Sequence, residues 1–168
     1  MSVRLSALML LALLLAACNK NPLEVVVSRC PAVAVVGDAG TMTRFVDNEP
    51  SASNEIFTAS IMGVTSQCDQ GDDVDASVSF EIAATAGPAM EGRTITVPYF
   101  VAVVKDNARI VSKKRFETVL TFDGKGRATA KQTVRQHIPT IEQARRYDYE
   151  VLLGFQLNPQ EAVFNMQR

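Results

Sequence analysis

"VDASVSFEIAATA", residues 74–86, decides the fold class. Val74, Ala76, Val78, Phe80, Ile82 and Ala84 alternate with Asp75, Ser77, Ser79, Glu81 and Ala83. Successive side chains of a β-strand point to opposite faces, so this stretch offers one apolar face to a core and one polar face to water.

The same period recurs outward from it. Ile95, Val97, Tyr99, Val101 and Val103 follow it. So do Ala128, Ala130, Val134 and Ile138, set against Arg127, Thr129, Lys131, Thr133, Arg135 and His137. Tyr147, Tyr149, Val151, Leu153, Phe155 and Leu157 alternate with Asp148, Glu150 and Gln156. β-branched and aromatic residues are frequent in these runs, as pleated, half-buried surfaces favour. The predicted strands lie near 31–36, 55–67, 74–86, 94–105, 109–122, 127–138 and 147–157.

Turn chemistry separates them. Asp106-Asn107 tolerates positive φ and predicts a hairpin between 99–105 and 109–117. Asp123-Gly124-Lys125-Gly126 predicts the next hairpin, and Gly87-Pro88 and Glu91-Gly92 break the chain before 94. Pro98 lacks an amide donor and marks an edge or a bulge, and Gly63 marks another. Asn158-Pro159-Gln160-Glu161 combines a cap, a proline at the first helical position and a glutamate three residues after the cap. It predicts a short C-terminal helix reaching Met166, and residues 140–145 suit one helical turn. The expected fold is all-β: an antiparallel β-sandwich, immunoglobulin-like, of about seven strands, with a small barrel as the alternative.

The chain has 168 residues, 47% hydrophobic and 21% charged, which suits one globular domain. A net charge of −1 gives no reason to expect a nucleic-acid partner, which would favour a basic face.

The N-terminus has another purpose. Arg4 precedes an apolar run over residues 5–15, too short for the ~20 residues a membrane-spanning helix requires but right for a secretory signal. Leu15-Ala16-Ala17-Cys18 ends it and resembles the lipobox of bacterial lipoproteins. That resemblance implies a signal peptide over 1–17, cleavage before Cys18, a diacylglycerol on the Cys18 thiol and an N-acyl chain on its new amino group. A lipidated tether over 18–29 would then carry a β-domain over 30–168. Asn19 stands where an aspartate would resemble the inner-membrane retention signal, so the expected location is the outer membrane, facing the periplasm. The segments "CPAVAVVGDAGTMTRF", "VPYFVAV" and "YEVLLGFQLNPQE" resemble an uncharacterised family of small Gram-negative envelope lipoproteins. That likeness implies a single β-rich domain and supplies no activity.

Lipidation of Cys18 leaves Cys30 and Cys68, an even pair in a compartment that permits disulfides. A Cys30–Cys68 bond from the start of the first strand to the end of the second is expected, with two buried thiols as the alternative. No histidine or further cysteine stands at ligand spacing, which argues against a metal site.

Little else carries chemistry. His137, the only histidine, points outward in the alternation and reads as a solvated surface residue. Asp69, Asp72, Asp73 and Asp75 do not match a calcium-loop spacing and read as a polar loop. Tyr147 and Tyr149 are similar to a tyrosine corner, with core packing the preferred reading. Lys113, Lys114 and Arg115 lie mid-strand, and Lys131 and Arg135 lie on the following one. If those strands pair, Lys113, Arg115, Lys131 and Arg135 form a basic face, read first as a soluble face that discourages edge-to-edge aggregation and, as the alternative, as a surface for anionic headgroups or an acidic partner. The expected function is a non-enzymatic interaction or assembly module in the cell envelope, with no cofactor beyond its lipid, held to the membrane and binding an envelope protein. The alternative is a carrier of a small apolar or lipid ligand. Phe80, Phe100, Phe116, Phe122 and Phe155 argue for a filled core instead.

Overall fold

The computed structural model describes residues 30–70, 74–138 and 149–168. The signal and lipobox residues, the tether over 19–29, Asp72, Asp73, the turn over 140–145, Tyr147 and Asp148 lie outside the described residues. Among those described, the chain is all-β with one short helix. The strands are β1 (Ala32–Val35), β2 (Thr41–Phe45), β3 (Glu55–Gln70), β4 (Val74–Ala86), β5 (Thr94–Lys105), β6 (Arg109–Thr121), β7 (Arg127–Ile138) and β8 (Tyr149–Phe155), and the helix is α1 (Pro159–Met166). They form two four-stranded sheets, β1-β8-β5-β6 and β2-β3-β4-β7.

β2 is one strand more than the sequence led us to expect. Its five residues include Arg44 and too few apolar positions to show a period. Pairing with β3 makes it a strand, with Thr43 opposite Thr58 and their hydroxyls 2.9 Å apart. β1 departs from the antiparallel expectation, running parallel to β8. Almost the whole domain lies between those two strands in sequence, so no short turn constrains their relative direction.

The β5–β6 hairpin forms as expected, with Asp106 and Asn107 at φ 54° and 53° and Ala108 N–H donating to Lys105 O at 3.2 Å. The turn at 123–126 does not close a hairpin. β6 pairs with β5 and β7 with β4, so the chain crosses there from one sheet to the other. Asp123 Oδ1 accepts from Lys125 N–H and Arg127 N–H, both at 2.8 Å. Those bonds fix a sharp turn but not the sheet that receives the next strand. Phe122, beside the turn, is buried in the core.

Pro98 also differs from expectation. It sits in β5, an interior strand, and the β5–β6 register shift lies away from it, between Val103 and Val104. Pro98 O accepts from Gln156 N–H at 3.0 Å, just past the end of β8, so its missing donor faces a position where the ladder stops. Gly63 does mark a bulge: its φ is 62° and the β3–β4 register shifts between Met62 and Thr65.

One hydrophobic cluster draws on both sheets. Met42, Phe57, Val78, Phe80 and Ile82 come from one, and Val97, Tyr99, Leu120, Leu153 and Phe155 from the other. Val151, Leu153 and Phe155 are buried, as the alternation requires. Glu150 and Gln156 are half-buried rather than exposed, because β8 has neighbours on both sides and its outer face is partly covered. Full burial of one such aliphatic or aromatic side chain contributes roughly 1.5–3 kcal/mol.

Phe80, Phe122 and Phe155 are core residues and Phe116 is half-buried against the core. Phe100 is not among them. It lies on the outer face of β5 beneath Lys113, whose Nζ stands 4.3 Å from the ring centre. Gly154 makes room for it, since a Cβ there would come within 2.7 Å of Phe100 Cζ. Phe57 fills the interior instead, 1% exposed.

α1 has the expected bounds and cap. Asn158 Oδ1 accepts from Glu161 N–H and Glu161 Oε2 accepts from Asn158 N–H, each at 2.8 Å. The helix lies against β2, where the Phe164 and Phe45 rings meet edge to face at 4.9 Å.

Candidate interaction surfaces

Cys30 and Cys68 are joined by a disulfide, with Cα atoms 5.8 Å apart across 38 residues. Cys30 precedes β1 and Cys68 lies near the end of β3, so the bond ties an edge strand of one sheet to the other sheet. The unforeseen β2 makes Cys68's strand the third rather than the second. Cys68 packs with Val103 and Tyr149. Lys105 Nζ stands 5.4 Å from the Tyr149 ring, so that tyrosine is a packing residue at the disulfide end of the domain. Cys18, the expected lipid site, is outside the described residues.

The four basic residues are divided between two sheets. Lys113 and Arg115 are on β6 and Lys131 and Arg135 on β7, all exposed, but the expected β6–β7 pairing does not form. Lys113 is engaged by the Phe100 ring, and Lys131 stands opposite Glu81 across the β4–β7 ladder. The crossing at 123–126 puts the two strands in two sheets.

His137 is exposed, as expected, but a carboxylate orients it: Asp75 Oδ1 is 2.9 Å from His137 Nδ1. They are direct cross-strand partners, and the next pair on this face is Ser77 with Arg135. Asp69 stands opposite Asp75 in register. Among the described residues, no group of three or more His, Cys, Asp or Glu is placed to hold a metal ion.

Sequence reasoning missed two constellations. The first links β5, β6 and β7. Tyr99 Oη donates to Gln132 Oε1 at 3.0 Å, and Gln132 Nε2 donates to Thr118 Oγ1 at 3.0 Å. The Tyr99 ring stacks on Phe116 and meets Phe80 edge to face. Burial pushes the Tyr99 hydroxyl's pKa up. The signal was available, because Thr118 and Gln132 are polar residues at inward positions of alternating strands.

The second is at α1. Arg44 Nε donates to Glu161 Oε1 at 3.1 Å, and Arg44 also lies over the Phe57 ring. Beside this pair the chain bends at Asp47 and Asn48, with φ of 52° and 57°. A surface groove of about 330 Å³ opens there, lined by Asn48, Pro50, Pro159, Val163 and Phe164 among others. Val163, in its lining, is 47% exposed. A second groove, of about 500 Å³, lies at Pro98, Arg115, Glu117 and Gln156.

These features define a disulfide-clamped, all-β domain with a filled core and surface grooves. No family model matches the chain, and no curated protein or solved structure matches it.

Proposed function

We propose that this chain is an envelope lipoprotein, lipidated at Cys18, that acts as a non-enzymatic interaction or assembly module. The observation that carries the reading is the Cys30–Cys68 disulfide. Such a bond persists in an oxidising compartment, which is where the Leu15-Ala16-Ala17-Cys18 signal would deliver the chain. The two sheets stack, in this reading, as an immunoglobulin-like sandwich. Support comes from the core they share and from the passage of the chain between them at β1–β2, β4–β5, β6–β7 and β7–β8.

The geometry also orients the domain. The tether over 19–29 spans at most ~40 Å when extended and enters at Cys30, beside the Cys68 end of β3. The α1 groove lies at the other end, because Arg44 pairs with Phe57 in register. The strand between separates the two ends by roughly 35 Å at ~3.3 Å per residue. An outer-membrane anchor would thus leave the α1 groove facing the periplasm, where an envelope protein could reach it. Phe57, Phe80, Phe122 and Phe155 occupy the interior volume that a lipid carrier would keep for its ligand.

The test has two readouts. The N-terminal peptide of the mature protein should begin at Cys18 and carry the mass of a diacylglycerol and an acyl chain. A photo-crosslinking residue at Val163 should give a discrete protein adduct in cells, and one at Thr129 should not. An unmodified N-terminus refutes the anchor. Lipid recovered from the interior of the purified domain favours the carrier.

A further inference from the structure

β6 is an edge strand, and among the described residues no strand pairs with its outer side. Phe122 N–H donates to Arg93 O at 2.8 Å, just beyond the strand's end. In an antiparallel ladder the two sides alternate residue by residue, so even-numbered residues of this stretch turn their N–H and C=O towards β5. Lys113, Arg115, Glu117 and Val119 therefore turn theirs to the open edge. Their side chains are exposed, Val119 by 62%.

We propose that this edge pairs with the same edge of a second copy of the chain, antiparallel about a two-fold axis at Phe116. Arg115 of each copy then faces Glu117 of the other, twice, and Lys113 lays its apolar stem along Val119. Each of these pairs exchanges both N–H···O bonds. Phe116, half-buried and stacked on Tyr99 at 5.3 Å, meets its own copy on the axis.

Charge selects this register. A shift one way sets Arg115 against Arg115, and a shift the other way sets Glu117 against Glu117. Like charges directly opposite destabilise a ladder. The pairing is isologous and closes at two copies. Lys113, Lys114 and Arg115 oppose the other uses of the edge, such as parallel in-register stacking. The axis runs perpendicular to the sheet, so the two Cys30 ends lie at opposite ends of the pair. An anchored pair would lie with its strands along the membrane. The pairing itself does not depend on the anchor.

The experiment is sedimentation velocity on the full-length protein in detergent. Wild type should dimerise. R115E and E117R should each weaken the dimer about tenfold or more, since each turns both symmetric attractions into repulsions. An equimolar mixture of R115E and E117R should restore a heterodimer, and the double variant R115E/E117R a homodimer, because both arrangements again set Arg against Glu. A cysteine at the axis, F116C, should form an intermolecular disulfide under mild oxidation, while K114C should not. That pair decides the matter if a charge variant fails to fold. A monomeric wild type, single variants that dimerise like wild type, or a folded mixture that stays monomeric would overturn the proposal. So would a wild-type monomer whose β6 crosslinks to a different envelope protein.

Discussion

Arg44 Nε lies 3.1 Å from Glu161 Oε1, joining β2 to α1 across 117 residues of sequence. The Glu161 side chain is 4% exposed and that of Arg44 36%. The other Glu161 oxygen accepts the Asn158 N–H, so one carboxylate both caps the helix and docks it.

Removing Arg44 should leave that carboxylate buried with half its partners. Truncating one member of a buried pair costs about 3–5 kcal/mol, and the exposure of Arg44 places R44A nearer ~1–2 kcal/mol. E161Q retains the shape and an oxygen for the cap, and should cost about 1 kcal/mol. Urea unfolding of the variants reads both values. A neutral R44A would mean the helix is held by Phe45–Phe164 packing and by the Asn165 amide's bonds to the Asp38 and Thr41 carbonyls.

The Tyr99–Gln132–Thr118 chain gives a second expectation. Y99F removes one hydroxyl and leaves Gln132 Oε1 without its donor, costing about 1–2 kcal/mol. Q132L strands both the Tyr99 and Thr118 hydroxyls and should cost about 2–3 kcal/mol. The double variant should cost less than the sum, because its members share one network. Additive costs in a double-mutant cycle would show that the three residues do not act together.

The disulfide closes a loop of 38 residues. In the chain-entropy model its loss costs about 4 kcal/mol. A C30A/C68A variant should unfold at markedly lower denaturant, and alkylation of unreduced protein should find neither thiol. Two alkylated cysteines in protein taken from the envelope would refute the bond.

Asp123 carries a pH dependence. The Arg127 and Lys125 backbone N–H groups, with smaller help from the Arg127 and Arg93 charges, hold its carboxyl below the usual carboxylate range. A depressed folded-state pKa adds stability above the unfolded value, near ~3.9, and that contribution is lost as pH falls through the folded value. D123N keeps an acceptor oxygen but no titrating charge. Its stability deficit against wild type should shrink between neutral pH and pH below ~3.9. A deficit unchanged across that range would place the turn's stability elsewhere.

Local chemistry made much of this protein legible in advance. The period of two in residues 74–86 defined a strand and its buried face, because alternation is a property of the extended backbone itself. Asp106-Asn107 specified a turn needing positive φ, and Asn158 with Glu161 specified a capped helix, each from residues within one turn of one another. An even cysteine pair was enough to suggest Cys30–Cys68. Only the tertiary structure decided which edges meet. A turn such as 123–126 reverses the chain with the same bonds whether it closes a hairpin or crosses between sheets. That choice divided Lys113 and Arg115 from Lys131 and Arg135. β2 gained its identity from β3, Phe100 went to the outer face through the space left by Gly154, and β1 ran parallel to β8. Each of these outcomes depends on burial summed over residues far apart in sequence. No local pattern encodes that sum, and it alone brought Arg44 to Glu161 and Tyr99 to Gln132.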